Sequence, residues 1–198
     1  MLYYTIRAWQ YSFVDEIILV VADEFSAFVK NDIVEMYGFD KVSKIVSGGA
    51  SRFDSVFNGL KACHTPDFVF IHDGARPCIC PEVIERSREA VEAFGACVAA
   101  VPVKDTIKAA DGEGFVSDTP ARDSLWAVQT PQSFRFDLVM EAFGAAAGGD
   151  PSGITDDAMV VERFGAAPVK LVMGDYENIK VTTPEDMEAV KLILKKRH

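Results

Sequence analysis

The chain has 198 residues, 49% apolar and 25% charged, proportions that suit one soluble globular domain with a full core and exclude a disordered chain. Thirty acids against 20 bases give a formal charge of −10, which argues against nucleic acid as a partner but leaves room for a small phosphorylated substrate held by a few local cations. The longest near-continuous apolar runs, Ile17–Ala22 and Cys97–Val103, fall far short of the ~20 residues that cross a bilayer, so no membrane partner is expected.

The opening MLYYTIRAWQ lacks the basic-then-apolar layout of a secretory signal. The four cysteines, Cys63, Cys78, Cys80 and Cys97, form no Cys-x-x-Cys pair, and three histidines do not complete a zinc set. Reduced, packed thiols in a cytoplasmic protein are the expectation.

Leu2, Ile6, Trp9 and Phe13 recur at the spacing of one helix face. EIILVVA (16–22) is a β-branched apolar run, predicted as a strand buried on both faces. Phe25, Phe28, Val29, Ile33 and Met36 predict a second helix, ended by Gly38. KIVSGG (44–49) reads as a strand entering a tight loop, and Phe53, Val56, Phe57 and Leu60 line the next helix. DFVFIHDG (67–74) is a strand and loop, followed by a helix with Val83, Ile84, Ser87, Ala90, Val91 and Phe94 inward and then the strand CVAAVPV (97–103). This alternation predicts a single α/β domain over 1–198, with a mostly parallel sheet and helices on both faces.

The pattern breaks between Lys104 and Phe134, where an Asp111-Gly112 turn signal and short alternating runs predict a projecting β-hairpin arm. A helix over 136–147 follows, then GGDPSG (148–153), then a short helix to Phe164 that Thr155 is placed to cap. PVKLVMG and NIKVT read as strands, and Thr183-Pro184-Glu185-Asp186 opens the last helix.

Ligands of open α/β sheets bind outside the carboxyl ends of the strands, so polar residues following apolar strands carry the functional weight. In FVFIHDGARP (68–77), Asp73 can hold Mg²⁺ and Arg76 can grip phosphate, although the same residues also suit a plain turn. In SGGASRFDS (47–55), the glycines between strand and helix are expected to leave backbone N–H groups free for a ligand; a plain strand-to-helix turn capped by Ser51 is the alternative. Thr106, Lys108, Arg122 and Thr130 flank the arm and can each bond phosphate, or simply decorate a hairpin. Lys180 lies in a short apolar strand, where snorkelling is the competing account. His72 belongs to no nucleophile elbow, since the chain has no G-x-S-x-G, and is read as a packing or positioning residue.

Taken together and in order, SGGASRFDSV, VFIHDGARP, VPVKDTIK, RDSLWAVQTPQSF, GITDDA and NIKVTTPEDM resemble the 2-C-methyl-D-erythritol 4-phosphate cytidylyltransferase family over almost the whole chain. HDGARP and QTPQSF also resemble the sister ribitol-phosphate cytidylyltransferases. The resemblance implies a Rossmann-like domain, a homodimer locked by the arm and a reaction joining CTP to a polyol phosphate, with release of pyrophosphate. It implies that Asp73 ligates Mg²⁺, that Arg76 and Thr106 help hold the acceptor, and that Arg122 and Lys180 position its phosphate. Thr130 and Thr155 contribute, some of these groups coming from the partner subunit, while Gly49, Arg52, Ser55 and Gly74 line the cytidine pocket.

One departure stands out. The family pattern opens with a strand and a glycine-rich loop whose arginine and lysine embrace the CTP triphosphate, and this sequence has no such segment; roughly 20–30 residues of a βαβ unit are involved. The expectation is that neighbouring strand edges lie unpaired, apolar helix faces lie exposed, and these 198 residues taken alone turn over poorly or serve as a non-catalytic dimerising remnant.

Overall fold

A computed structural model describes residues 1–150, 152–165 and 167–197. Its elements run α1 (Leu2–Gln10), β1 (Ile17–Val21), α2 (Asp23–Phe28), β2 (Val42–Ser47), α3 (Arg52–Ala62), β3 (Phe68–Ile71), α4 (Pro81–Phe94) and β4 (Ala96–Pro102). The short strands β5 (Ala109–Ala110) and β6 (Val116–Asp118) follow, then β7 (Trp126–Arg135), α5 (Phe136–Gly148), α6 (Asp157–Phe164), β8 (Lys170–Met173) and α7 (Pro184–Arg197). No helix among the described residues is long and apolar enough to cross a membrane, and all four cysteines are free.

The main sheet has the order β3-β7-β4-β8. β3 and β4 both run antiparallel to β7, and β8 runs parallel to β4, so three strands point one way and β7 alone opposes them. A second, parallel pair joins β1 to β2. The mostly parallel α/β reading holds in strand direction. β4 shows how the layers form: Ala96 and Val98 face the cluster of Leu60, Val139, Phe143 and Val160 from α3, α5 and α6. The intervening Cys97 packs with Val91, and Ala99 with Trp9, Val83 and Ile84, from α1 and α4. That period of two on a strand buried from both sides sets helices on both faces. Phe53 stacks on the fully buried Phe143 at 4.9 Å, and burying such a side chain contributes roughly 1.5–3 kcal/mol.

The structure departs from the predicted elements in several places, and Phe94, expected inward at the end of α4, is 56% exposed. Ile17–Val21 is half-buried, because a cavity of about 820 Å³ separates β1 from β3 and is lined by both strands together with Leu2, Ile6, Trp9 and Leu60. β1 pairs with β2 alone and β3 with β7 alone among the described residues, so the expected unpaired edges are present. The second helix passes into a π-helical stretch over Val29–Glu35, which shifts residues off a 3.6 period; Val29 is buried, while Phe25, Phe28 and Met36 are more than half exposed.

The predicted arm also divides. Residues 104–125 project with the β5–β6 pair, whereas Gln129–Phe134 lie buried between β3 and β4. Asp156 rather than Thr155 caps α6, accepting from Met159 N–H at 2.9 Å, because its side chain sits three residues before that donor. Finally, NIKVT is extended chain rather than a sheet strand, its Val181 N–H bonding Ala75 O at 2.9 Å.

Candidate active site

The carboxyl end of β3 delivers the chain into His72–Arg76, and three cations converge on Asp73. Lys180 Nζ lies 3.1 Å from its carboxylate, Arg76 Nε 3.3 Å and Arg52 Nη2 3.9 Å. Burial opposes ionisation of Asp73, but Lys180, then Arg52 and Arg76, outweigh it and hold the carboxyl below its ordinary pKa. The loop is braced from several sides. Asp73 N–H donates to Thr130 Oγ1 at 3.1 Å, Thr5 of α1 donates to Gly74 O at 2.9 Å, and Arg76 Nη1 donates to Asn178 O at 2.8 Å. Asn178, fully buried, donates in turn to Thr130 O at 2.9 Å. The segment carrying Lys180 is therefore fastened to both β7 and the Asp73 loop.

Arg52 is the first residue of α3, behind a Ser51–Asp54 capping box. Its guanidinium forms a two-pronged pair with Asp157, at 2.7 and 2.6 Å. Burial raises the pKa of the almost fully buried Asp157 against the pull of Arg52, yet both short bonds need both oxygens as acceptors, so the pair is ionic. The same bonds outweigh the burial of Arg52 and raise its pKa. Asp157 is itself placed by Gln132, a buried residue of β7 that bonds both Asp156 and Ala158 N–H at the start of α6.

The two loop glycines do not offer free amides. Gly48 N–H bonds Val21 O at 2.8 Å, and Gly49 N–H bonds Ser55 Oγ at 2.9 Å. Gly49 is needed for a different reason: a Cβ there would stand 2.2 Å from Asp54 Cβ, so the loop folds directly onto α3.

A carboxylate among cations at strand ends suits bringing two phosphate-bearing molecules together. The family model described as IspD, 2-C-methyl-D-erythritol 4-phosphate cytidylyltransferase, matches residues 1–196. The chain belongs to this family. A protein of that description from Lachnospira eligens is 49% identical over 197 residues, covering 98% of this chain and 86% of the relative. Another from Alkaliphilus oremlandii is 52% identical over 185 residues, covering 93% and 78%. The crystal structure of 4-diphosphocytidyl-2C-methyl-D-erythritol synthase from Anaerococcus prevotii is similar with a TM-score of 0.87 at 32% identity, covering all of this chain and 86% of that one.

Of the residues that the family resemblance singles out, the fold gathers Asp73, Gly74, Arg76, Arg52, Thr130 and Lys180 about one strand end, with Gly49 and Ser55 at the foot of α3. Thr155 is exposed beside the Asp156–Asp157 pair. Thr106 and Arg122 are exposed on the 104–125 segment, where Arg122 Nη1 bonds Lys104 O at 3.2 Å and Lys108 bonds Thr119. Asp157, Gln132 and Asn178 escape the sequence reading. The doubled acid Asp156-Asp157 was the available signal for the first; Gln132 lies in a stretch with no apolar period, and the alternation of Ile179 and Val181 sets Asn178 on the polar side of NIKVT.

Proposed function

We propose that the chain transfers the cytidylyl group of CTP to the phosphate of 2-C-methyl-D-erythritol 4-phosphate, releasing pyrophosphate, as a step of non-mevalonate isoprenoid precursor synthesis. The observation that carries this reading is the convergence of Lys180, Arg76 and Arg52 on Asp73 in a chain of that family. An oxygen of the acceptor phosphate bonds to the α-phosphorus of CTP while the bond to the bridging oxygen of pyrophosphate breaks. Such chemistry needs two anions aligned and their charge offset, with no covalent nucleophile on the protein. Arg76 and Lys180 hold the acceptor phosphate; Arg52, Gly49, Ser55 and Gly74 form the nucleotide side.

Mg²⁺ fits this site. Asp73 offers one ionised carboxylate, and no group of three or more His, Cys, Asp or Glu side chains among the described residues forms a separate metal site. Mg²⁺ characteristically takes one or two carboxylates together with substrate phosphates. When bound there, the ion offsets charge on the reacting phosphates.

The projecting segment exposes Ile107, Phe115 and Val116, which supports a homodimer formed through residues 104–125. Thr106 and Arg122 of the partner subunit then complete each site. Four free cysteines support the reading of a reducing, cytoplasmic compartment.

The test is pyrophosphate release from CTP with and without Mg²⁺, comparing methylerythritol phosphate with ribitol phosphate. Metal-dependent release with the first acceptor, even if slow, is the expected result. Equal or faster release with ribitol phosphate would overturn the acceptor, and silence with both would overturn the activity.

A further inference from the structure

His72 links β3 to Asp73, and the reaction outlined above assigns it no part. Its ring packs on Trp9 with centroids 5.5 Å apart. Nε2 lies 3.3 Å from Arg76 O and Nδ1 lies 2.9 Å from Thr130 Oγ1. A carbonyl oxygen can only accept, so Nε2 carries the hydrogen. In a neutral ring Nδ1 is then the acceptor, and the Thr130 hydroxyl must donate to it. That orientation turns a lone pair of Thr130 Oγ1 toward Asp73 N–H, which donates at 3.1 Å. In the neutral ring, the bond directions from Asp73 through Thr130 and His72 to Arg76 follow from that carbonyl.

The geometry points to His72 as a positioning residue that fastens the 73–76 loop at both ends, through Thr130 at Asp73 and directly at Arg76. One ring thereby aligns the carboxylate assigned to the metal and the guanidinium assigned to the acceptor, an inference that rests on the reading of the site given above. Asp73 and Arg76 are also joined by their own turn, Arg76 N–H bonding Asp73 O at 3.0 Å. The turn sets the shape of the loop, and the ring sets its place against β7.

The two nitrogens can be tested separately. In His72→Asn the amide oxygen stands near the place of Nδ1, keeping the acceptor for Thr130 and losing the reach to Arg76 O. In His72→Gln the amide N–H₂ reaches toward Arg76 O and the acceptor for Thr130 is lost. His72→Phe keeps the contact with Trp9 and neither bond. Long-range ¹H–¹⁵N spectra at pH 7 should show a protonated Nε2 and a bare Nδ1. The Asp73 amide resonance should move in His72→Phe and His72→Gln and stay in place in His72→Asn.

Turnover should fall on the order of a hundredfold in His72→Phe, the scale of a misplaced catalytic constellation. His72→Asn should recover kcat and the Mg²⁺ dependence but retain a raised KM for the acceptor, and His72→Gln should do the reverse. A protonated Nδ1, an unmoved Asp73 amide in His72→Phe, or kcat and KM changing in the same proportion in all three variants would overturn the inference. A wild-type chain that releases no pyrophosphate would instead overturn the proposed reaction, while the tautomer and the Asp73 amide would still decide whether the ring fastens the loop.

Discussion

Asp73 and His72 are neighbours whose protonation is pushed in ways that matter over different pH ranges. The carboxyl is held below its ordinary range; its contribution to stability is therefore present above the ordinary carboxylate pKa and lost only as pH falls through the lower value. The imidazole is also lowered, from 6.5 to about 4, but here the favoured form is the neutral one. Below pH 6.5 the unfolded chain takes up a proton that the folded chain refuses until about pH 4, so stability is full above 6.5 and declines between those values. The whole decline amounts to at most roughly 3–4 kcal/mol from this one group. Urea midpoints at pH 7 and pH 5 should therefore differ more for the wild type than for His72→Phe. Equal pH slopes for the two proteins would mean that the ring is not held neutral. At this same scale the sequence was readable where an apolar strand hands over to HDGAR, because a polar run at a strand end has few other uses. Asp157 was not, since capping needs one of two adjacent acids and only the packed geometry shows which one remains to grip Arg52.

Elements place those residues, and the junction between β2 and α3 does so by close approach. Gly49 lets the loop lie against Asp54 while Ser51 and Asp54 close the capping box that starts α3 at Arg52. A methyl at position 49 would overlap Asp54 Cβ at 2.2 Å, whereas one at Gly144, on the exposed side of α5, would meet nothing within 4 Å. Gly49→Ala should therefore destabilise by roughly 1–3 kcal/mol through overpacking, and Gly144→Ala should stabilise by roughly 0.5–1 kcal/mol through helix propensity. Chemical denaturation measures both, and the same sign in the two variants would contradict the close-approach account. β7 shows why element boundaries were harder to read than element order. Gln129, Thr130, Gln132 and Ser133 are all under 10% exposed, so the strand beside β4 carries polar side chains into the interior and has no apolar period. Gln129, Thr130 and Gln132 have bonding partners on Asp175, Asp73 and the start of α6. A stretch needed to brace the site was consequently indistinguishable in sequence from the solvated arm that precedes it.

For the molecule as a whole, the reach of the exposed arm decides how many chains make one site. Arg52, Arg76 and Lys180 surround Asp73 within a single chain, but Thr106 and Arg122 sit on a projecting segment with exposed Phe115 and Val116 beside them. If the arm reaches across a twofold dimer, each site combines Lys180 from one subunit with Arg122 from the other. Arg122→Ala and Lys180→Ala homodimers should then each lose most of their turnover, because charge aimed at a transferring phosphate is worth several kcal/mol. Mixing the two variants restores one complete site in each heterodimer and leaves the other doubly damaged. With random exchange half of the dimers are mixed and half of their sites are whole, so activity should return to about a quarter of the wild-type value. Native mass spectrometry of the mixture would establish that heterodimers had formed. Heterodimers without recovered activity would place Arg122 and Lys180 in the same subunit's site, and the arm would then have to fold back onto its own chain.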